Sequence, residues 1–332
     1  MSGPLRLSRR RDRLWPRKIT SGPHTMKAIG LTALLFLAAA PALAQSQKPI
    51  ETAQLPYMEI FSPTFFWSDE ADAVRTGSTT CPKGRAITGG VNIIQGKASL
   101  RIVETYPDGE SWVVRVVNRQ KPETVTSLQV RTYALCLLPA ARKGSKLMAQ
   151  LPRISYTSVP FSLPAGYVST TGRSTCQPGA LVLGGGFGLD QQYNGPSNLR
   201  LELSYPDPNG WNVRAINGAA ASGPAADARI YTICLSSKDG SDIRNHKTVY
   251  FAEAEAVVKA DNGTIRQSVK CGEPDSYIIS GGLRSIRGRS ASLELQESFP
   301  DSPSSWMVAV NNRGTKRDGD VTVRLYAVCL KK

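Results

Sequence analysis

The chain has 332 residues, enough for two or three ordinary domains, and its 41% hydrophobic content is compatible with real cores. It carries 41 Lys/Arg against 26 Asp/Glu, a formal charge of +15, of which residues 1–44 hold +7 and the rest of the chain +8. An excess that diffuse favours acidic polymers or anionic surfaces. It is not the basic stripe on a recognisable fold that nucleic-acid binding requires, so nucleic acid is not an expected partner.

Arg6 to Lys18 is a basic run without apolar periodicity, and residues 1–25 read as a non-native N-terminal extension, with Met26 as the start. Residues 26–44 read as a signal peptide: Met26-Lys27 is a positive start, Ala28 to Ala40 an apolar run, and Ala42-Leu43-Ala44 a small-residue cleavage site before Gln45. A twin-arginine signal at Ser8-Arg9-Arg10 would place its apolar run too far downstream. The run is too short to span a bilayer, so the mature chain is expected to lack a transmembrane segment. The expected location is periplasmic or extracellular. Residues 45–56 read as a flexible lead-in.

From there one pattern is written three times. Cys81 is followed by Gly89-Gly90, Tyr106-Pro107-Asp108, Trp112, Asn118, Arg131-Thr132-Tyr133 and Cys136. The same marks return as Cys176, Gly184-Gly185, Tyr205-Pro206-Asp207, Trp211, Asn217, Arg229-Ile230-Tyr231 and Cys234. They return again as Cys271, Gly281-Gly282, Phe299-Pro300-Asp301, Trp306, Asn312, Arg324-Leu325-Tyr326 and Cys329. A fixed period outranks any local motif because it sets the architecture. The repeats are bounded as 57–140, 141–240 and 241–332. In an exported protein the cysteines are free to oxidise. Of the fifteen pairings open to six cysteines, the repeat makes Cys81–Cys136, Cys176–Cys234 and Cys271–Cys329 the simplest. Each closes a loop of more than fifty residues, which chain entropy makes worth about 4 kcal/mol. Zinc does not fit: there is no Cys-x-x-Cys, and the mature chain has only His246.

Within a repeat, short runs of Val, Ile, Thr and Tyr are cut by Gly, Pro, Asn and Asp, which is strand-and-turn punctuation. Alternation places Leu100, Ile102 and Tyr106 on one buried face, with Leu199, Leu201, Leu203, Tyr205 and Leu293, Leu295, Phe299 matching. A Pro-Asp turn leads to a strand on which Trp112, Trp211 and Trp306 align with aliphatic residues, and these belong in the core. The glycine pairs end apolar runs and read as a bulge or a close approach of two backbones. The closing strand turns Cys136, Cys234 and Cys329 inward and Arg131/Tyr133, Arg229/Tyr231 and Arg324/Tyr326 outward. The fold expected is all-β: three tandem disulfide-closed β-sandwich-like repeats, the alternative being a single pseudo-threefold β-prism.

Cys81-Pro82-Lys83-Gly84, the Gly-Gly pair, the Trp-x-Val strand and Tyr326-Ala327-Val328-Cys329 together resemble a repeated β module of uncharacterised exported bacterial proteins. Cys176-Gln177-Pro178-Gly179 and Cys271-Gly272-Glu273-Pro274 follow it loosely. The resemblance covers most of residues 81–329 and implies export and β structure only.

Catalytic tools are scarce. One mature histidine leaves no room for a Ser-His-Asp or Cys-His arrangement, and a hydrolase would have to use Glu104, Glu202, Glu294 and Glu297. The expectation is a non-enzymatic binding or adhesion protein without cofactor or metal. Its three repeated weak sites would take acidic glycans or an envelope polymer and gain by avidity. The candidate ligand-binding residues are Arg131, Tyr133, Arg229, Tyr231, Arg324 and Tyr326, with Arg115 and Arg214 on the neighbouring strand. Guanidinium pairs with carboxylate, and a phenol ring stacks on sugar. The same residues also suit a plainer role, with tyrosines packed on the adjacent unit under arginine. A structural envelope or appendage component is the other reading. A non-reducing peptide map of the native protein is expected to recover the three within-repeat pairs, and cross-repeat pairs would contradict the repeat assignment.

Overall fold

The turn-punctuated runs form strands throughout the computed structural model, which describes residues 58–62, 64–67, 74–95, 100–118, 128–137, 153–190, 198–237, 242–243 and 249–331. The expected extension, signal peptide and lead-in lie outside the described residues, as does His246. The first repeat gives β1 (Met58–Phe61), β2 (Thr64–Trp67), β3 (Val74–Thr80), β4 (Arg85–Gln95), β5 (Leu100–Asp108), β6 (Ser111–Asn118) and β7 (Leu128–Leu137). The second gives β8 (Arg153–Leu163), β9 (Ser169–Thr175), β10 (Leu181–Leu189), β11 (Leu199–Asp207), β12 (Gly210–Asn217) and β13 (Ala226–Ser236). The third gives β14 (Val249–Val258), β15 (Gly263–Lys270), β16 (Tyr277–Arg287), β17 (Leu293–Ser302), β18 (Ser305–Asn312) and β19 (Val321–Leu330).

The chain is all-β, and each repeat folds as two layers around its own core. In the first repeat β4 and β7 face β5 and β6, and Trp112 lies over Gly89 between them. The three tryptophans are almost fully buried, as their alternation requires. The disulfides are Cys81–Cys136, Cys176–Cys234 and Cys271–Cys329. In each, one cysteine follows the second-layer strand β3, β9 or β15 directly, and the other lies on β7, β13 or β19. The bridge therefore ties the two layers together.

The layers do not stop at the repeat boundary. The three sheets run β1-β7-β4-β17-β18-β15, β8-β13-β10-β5-β6-β3 and β14-β19-β16-β11-β12-β9, with β2 also on β7. Every pairing is antiparallel, and each sheet joins one layer of a repeat to a layer of another. The second repeat continues the first, the third continues the second, and the first continues the third, so the set closes in a ring. The sandwich description holds within a repeat, and the pseudo-threefold description holds for how the repeats meet.

The glycine pairs make the joints, and in the second repeat the pair is Gly185-Gly186, one place beyond the expected Gly184-Gly185. A Cβ on Gly89, Gly185 or Gly281 would fall within 2.4 Å of the tryptophan of the same repeat. A Cβ on Gly90, Gly186 or Gly282 would fall within 2.0 Å of the carbonyl oxygen of Ser298, Thr105 or Ser204 in the neighbouring repeat. Both readings of these glycines apply, since a register shift also precedes each pair, at Ala86/Thr88, Val182/Gly184 and Ile278/Ser280.

A second set of bulges overturns one expected face. Register shifts at Ile102/Glu104, Leu201/Leu203 and Leu295/Glu297 insert an extra residue into β5, β11 and β17. The extra residue resets the period of two. Thr105, Ser204 and Ser298 then accept the tryptophan Nε1–H at 2.8, 2.9 and 2.9 Å. Tyr106, Tyr205 and Phe299 leave the face of Leu100, Leu199 and Leu293 and turn to the opposite side.

Gly186→Ala is expected to destabilise the protein by about 3 kcal/mol or more, because the new methyl would meet the backbone of Thr105 and Tyr106, which cannot swing aside as a side chain can. Gly272→Ala, with nothing within 4 Å of its Cβ position, is expected to change stability by less than about 0.5 kcal/mol. Urea denaturation of the two variants checks the contrast.

Candidate functional site

The outward residues of β7, β13 and β19 meet those of β5, β11 and β17 across each joint. Tyr133 stacks on Phe299, Tyr231 on Tyr106 and Tyr326 on Tyr205, with ring centroids 5.1, 5.4 and 6.0 Å apart and planes within 17° of parallel. These tyrosines therefore pack on the adjacent repeat, and Tyr133 and Tyr326 are only 3% and 6% exposed. Their arginine neighbours are engaged. Arg131 donates to Thr64 Oγ1 at 3.1 Å, Arg229 pairs with Asp190 at 2.9 Å, and Arg324 pairs with Glu253 and Glu255 at 3.2 and 2.7 Å.

Arg115 and Arg214 guard buried carboxylates. Arg115 Nη1 lies 2.5 Å from Glu104 Oε1, and Arg214 Nε lies 3.2 Å from Glu202 Oε2. Both glutamates have no solvent exposure. Burial pushes the Glu104 and Glu202 carboxyls above the ordinary carboxylate range, against the pull of Arg115 on the first and of Ser169, Arg200 and Arg214 on the second. Glu104 Oε2 is buried without a hydrogen-bond partner among the described residues. Glu297, at the aligned position, accepts the Ile93 N–H at 3.2 Å. Glu297 thereby satisfies a main-chain group beside the joint, where the ladder between repeats has a single register pair. At the remaining joint the aligned residue is Leu203, and the carboxylate has moved one place to Glu202.

The three joints differ where the repeat pattern breaks. The position after Gly-Gly-apolar is Gly188 between repeats 1 and 2, Asn92 between 3 and 1, and Arg284 between 2 and 3. At Gly188 the Tyr106 ring fills the space, 2.8 Å from where a Cβ would stand. Arg284 is exposed and makes no ion pair with a carboxylate among the described residues. Arg284 follows Leu283, the register partner of Ser204, and stands two places from Gly282, the partner of Tyr326, so this cation sits beside the ring pair. Burial pushes the phenols of Tyr205 and Tyr326 up, and the Arg284 guanidinium opposes it at both.

The third repeat has Ala309 where the others have Arg115 and Arg214. Its guanidinium comes instead from the next strand, where Arg266 Nε lies 2.7 Å from Glu297 Oε2. The space that an arginine would occupy is open, and a cavity of about 490 Å³ lies there. Ala309, Asn311, Arg313, Thr264, Arg266 and Glu297 line it, with Ile93 from the first repeat. A second cavity of about 390 Å³ lies at the joint of repeats 1 and 2, lined by Arg85, Glu110, Tyr156 and Tyr231. Burial lifts the Tyr156 phenol to about 12, and Arg85 sits 5.8 Å from its ring centre.

No group of His, Cys, Asp or Glu with metal-binding geometry occurs among the described residues. No described helix is long and apolar enough to cross a membrane. Arg284 and Arg266 were not among the residues singled out from the sequence. The signal for both was there, as departures from the threefold pattern. No protein-family model matches the chain, and comparison with curated proteins finds no match.

A carboxyl held above its unfolded value keeps its proton to higher pH in the folded state, so stability linked to it is full below about 4.3 and is lost as pH rises through the folded value. Glu104→Gln and Glu202→Gln remove that loss. Their unfolding free energies are expected to gain on the wild type as pH is raised from about 4 to about 7, measured by urea titration at a series of pH values.

Proposed function

We propose that this chain is an exported, non-enzymatic binding protein that engages acidic glycans or similar polyanions at the joints between its repeats. The three closed disulfides fit an oxidising compartment, and residues 26–44 supply the proposed signal peptide, cleaved after Ala44. The observation that carries the binding reading is Arg284, an exposed cation without a carboxylate partner among the described residues, beside the stacked Tyr205–Tyr326 pair. Its terminal N–H groups are free to take a carboxylate or sulfate, and the half-buried Tyr205 ring offers apolar contact to a sugar. Arg131, Arg229 and Arg324 have partners of their own and act as the charged surround. Each contact is weak, so an extended polymer gains by touching more than one joint.

The test is retention of the whole protein on immobilised polygalacturonate against neutral dextran at low salt. Selective retention is expected, and Arg284→Ala is expected to weaken it about tenfold, the worth of one charge-assisted hydrogen-bonded pair. Equal retention on both matrices, or an unaltered Arg284→Ala variant, would overturn the proposal.

A further inference from the structure

We propose that the cavity beside Ala309 is a separate site for a small hydroxylated carboxylic acid of uronate size. The pocket is built from the wall of the third repeat and closed by Ile93 of the first, and its volume of about 490 Å³ is far more than an inorganic ion fills. Most of the polar groups are arranged as donors. The exception is Asn311 Oδ1, which is buried without a hydrogen-bond partner among the described residues and would accept from a ligand hydroxyl. Glu297 accepts from the Ile93 N–H and from Arg266 Nε, and Glu294 accepts from Arg313 Nε and Nη2 at 2.8 and 3.0 Å and from Arg101 Nε at 3.2 Å. That leaves the two terminal nitrogens of Arg266 and the Nη1 of Arg313 without a bond among the described residues. Asn311 Nδ2 donates to Thr264 Oγ1 at 2.8 Å, so the Thr264 hydroxyl hydrogen is free to point elsewhere.

A ligand must therefore bring acceptors, and guanidinium donors prefer a carboxylate. The Ala309 methyl and Ile93 give an apolar floor for carbon. The side-chain amides of exposed Asn262 and buried Gln296, each both donor and acceptor, suit ligand hydroxyls. Neither Arg284 nor the Tyr205–Tyr326 pair takes part, so this site stands or falls independently of the polymer-binding surface.

The sequence supplies the test. Ala309→Arg restores the residue type found in repeats 1 and 2 and fills the cavity with a side chain that has Glu297 to pair with. Ala309→Gln fills it without charge. Calorimetric titration of the full chain with D-galacturonate is expected to show saturable binding, with D-galactose at least tenfold weaker, and both filling variants are expected to lose it by more than tenfold. Digalacturonate binding more tightly than the monomer would place the ligand within a chain, and equal binding would place it as a free sugar acid. Retention on polygalacturonate through Arg284 should survive in the filling variants. No binding of either acid by the wild type, or binding unchanged in a folded filling variant, overturns the site.

Discussion

The arrangement depends on a carbonyl oxygen resting against a Cα that carries no side chain. Thr105 O lies on Gly186, Ser204 O on Gly282 and Ser298 O on Gly90. The same three residues accept the tryptophan indole of their own repeat through their hydroxyls, and each tryptophan lies on the glycine next to the joint glycine. The contacts form one closed circuit: glycine pair, tryptophan, hydroxyl residue, then the glycine pair of the next repeat, three times around. A repeat's core packing and its docking to a neighbour are thus set by the same few atoms. Either glycine replaced by a larger residue would disturb both, because packed interiors do not deform continuously.

Much of this was legible in the sequence, because it is written three times. The strand runs, the Pro-Asp turns, the buried tryptophans and the cysteine pairs follow from spacing and alternation alone. Periodicity within one repeat could not reveal that β5 continues β10 and β17 continues β4, since a strand's own pattern says which face is buried and not which edge it joins. The bulges hid the faces of Tyr106, Tyr205 and Phe299 for a related reason: one inserted residue reverses every later side chain while leaving composition unchanged. The buried asparagines were visible as recurrent marks without a role. Asn217 and Asn312 each bond two carbonyls, those of Leu163 and Pro224 and those of Val258 and Gly319, and so pin the end of the tryptophan strand to two chain segments of the same repeat.

The outward arginines and tyrosines show how a repeated polar motif serves a fold. Stacked rings across each joint bury apolar surface that the glycine contacts leave uncovered. Below one of these pairs Glu297 satisfies a backbone group where the ladder between repeats is a single register pair, and at each joint arginine keeps the buried carboxylate compatible with burial. Repetition alone therefore marks construction at these positions, since every joint must be made three times and the chain keeps whatever makes it.

The departures carry more information about binding. Where Arg115 and Arg214 become Ala309, the charge balance survives because Arg266 supplies the missing guanidinium from β15, so the change costs the joint little and opens a cavity. Where Gly188 becomes Arg284, a cation is added next to a ring pair with no carboxylate among the described residues to match it. A ring of three equivalent joints needs neither change for stability. Compensation at one position and surplus at the other both leave donors facing solvent that the fold itself does not use. In a molecule assembled by pseudo-symmetry, the places where symmetry is broken without loss of packing are where a ligand has room to act.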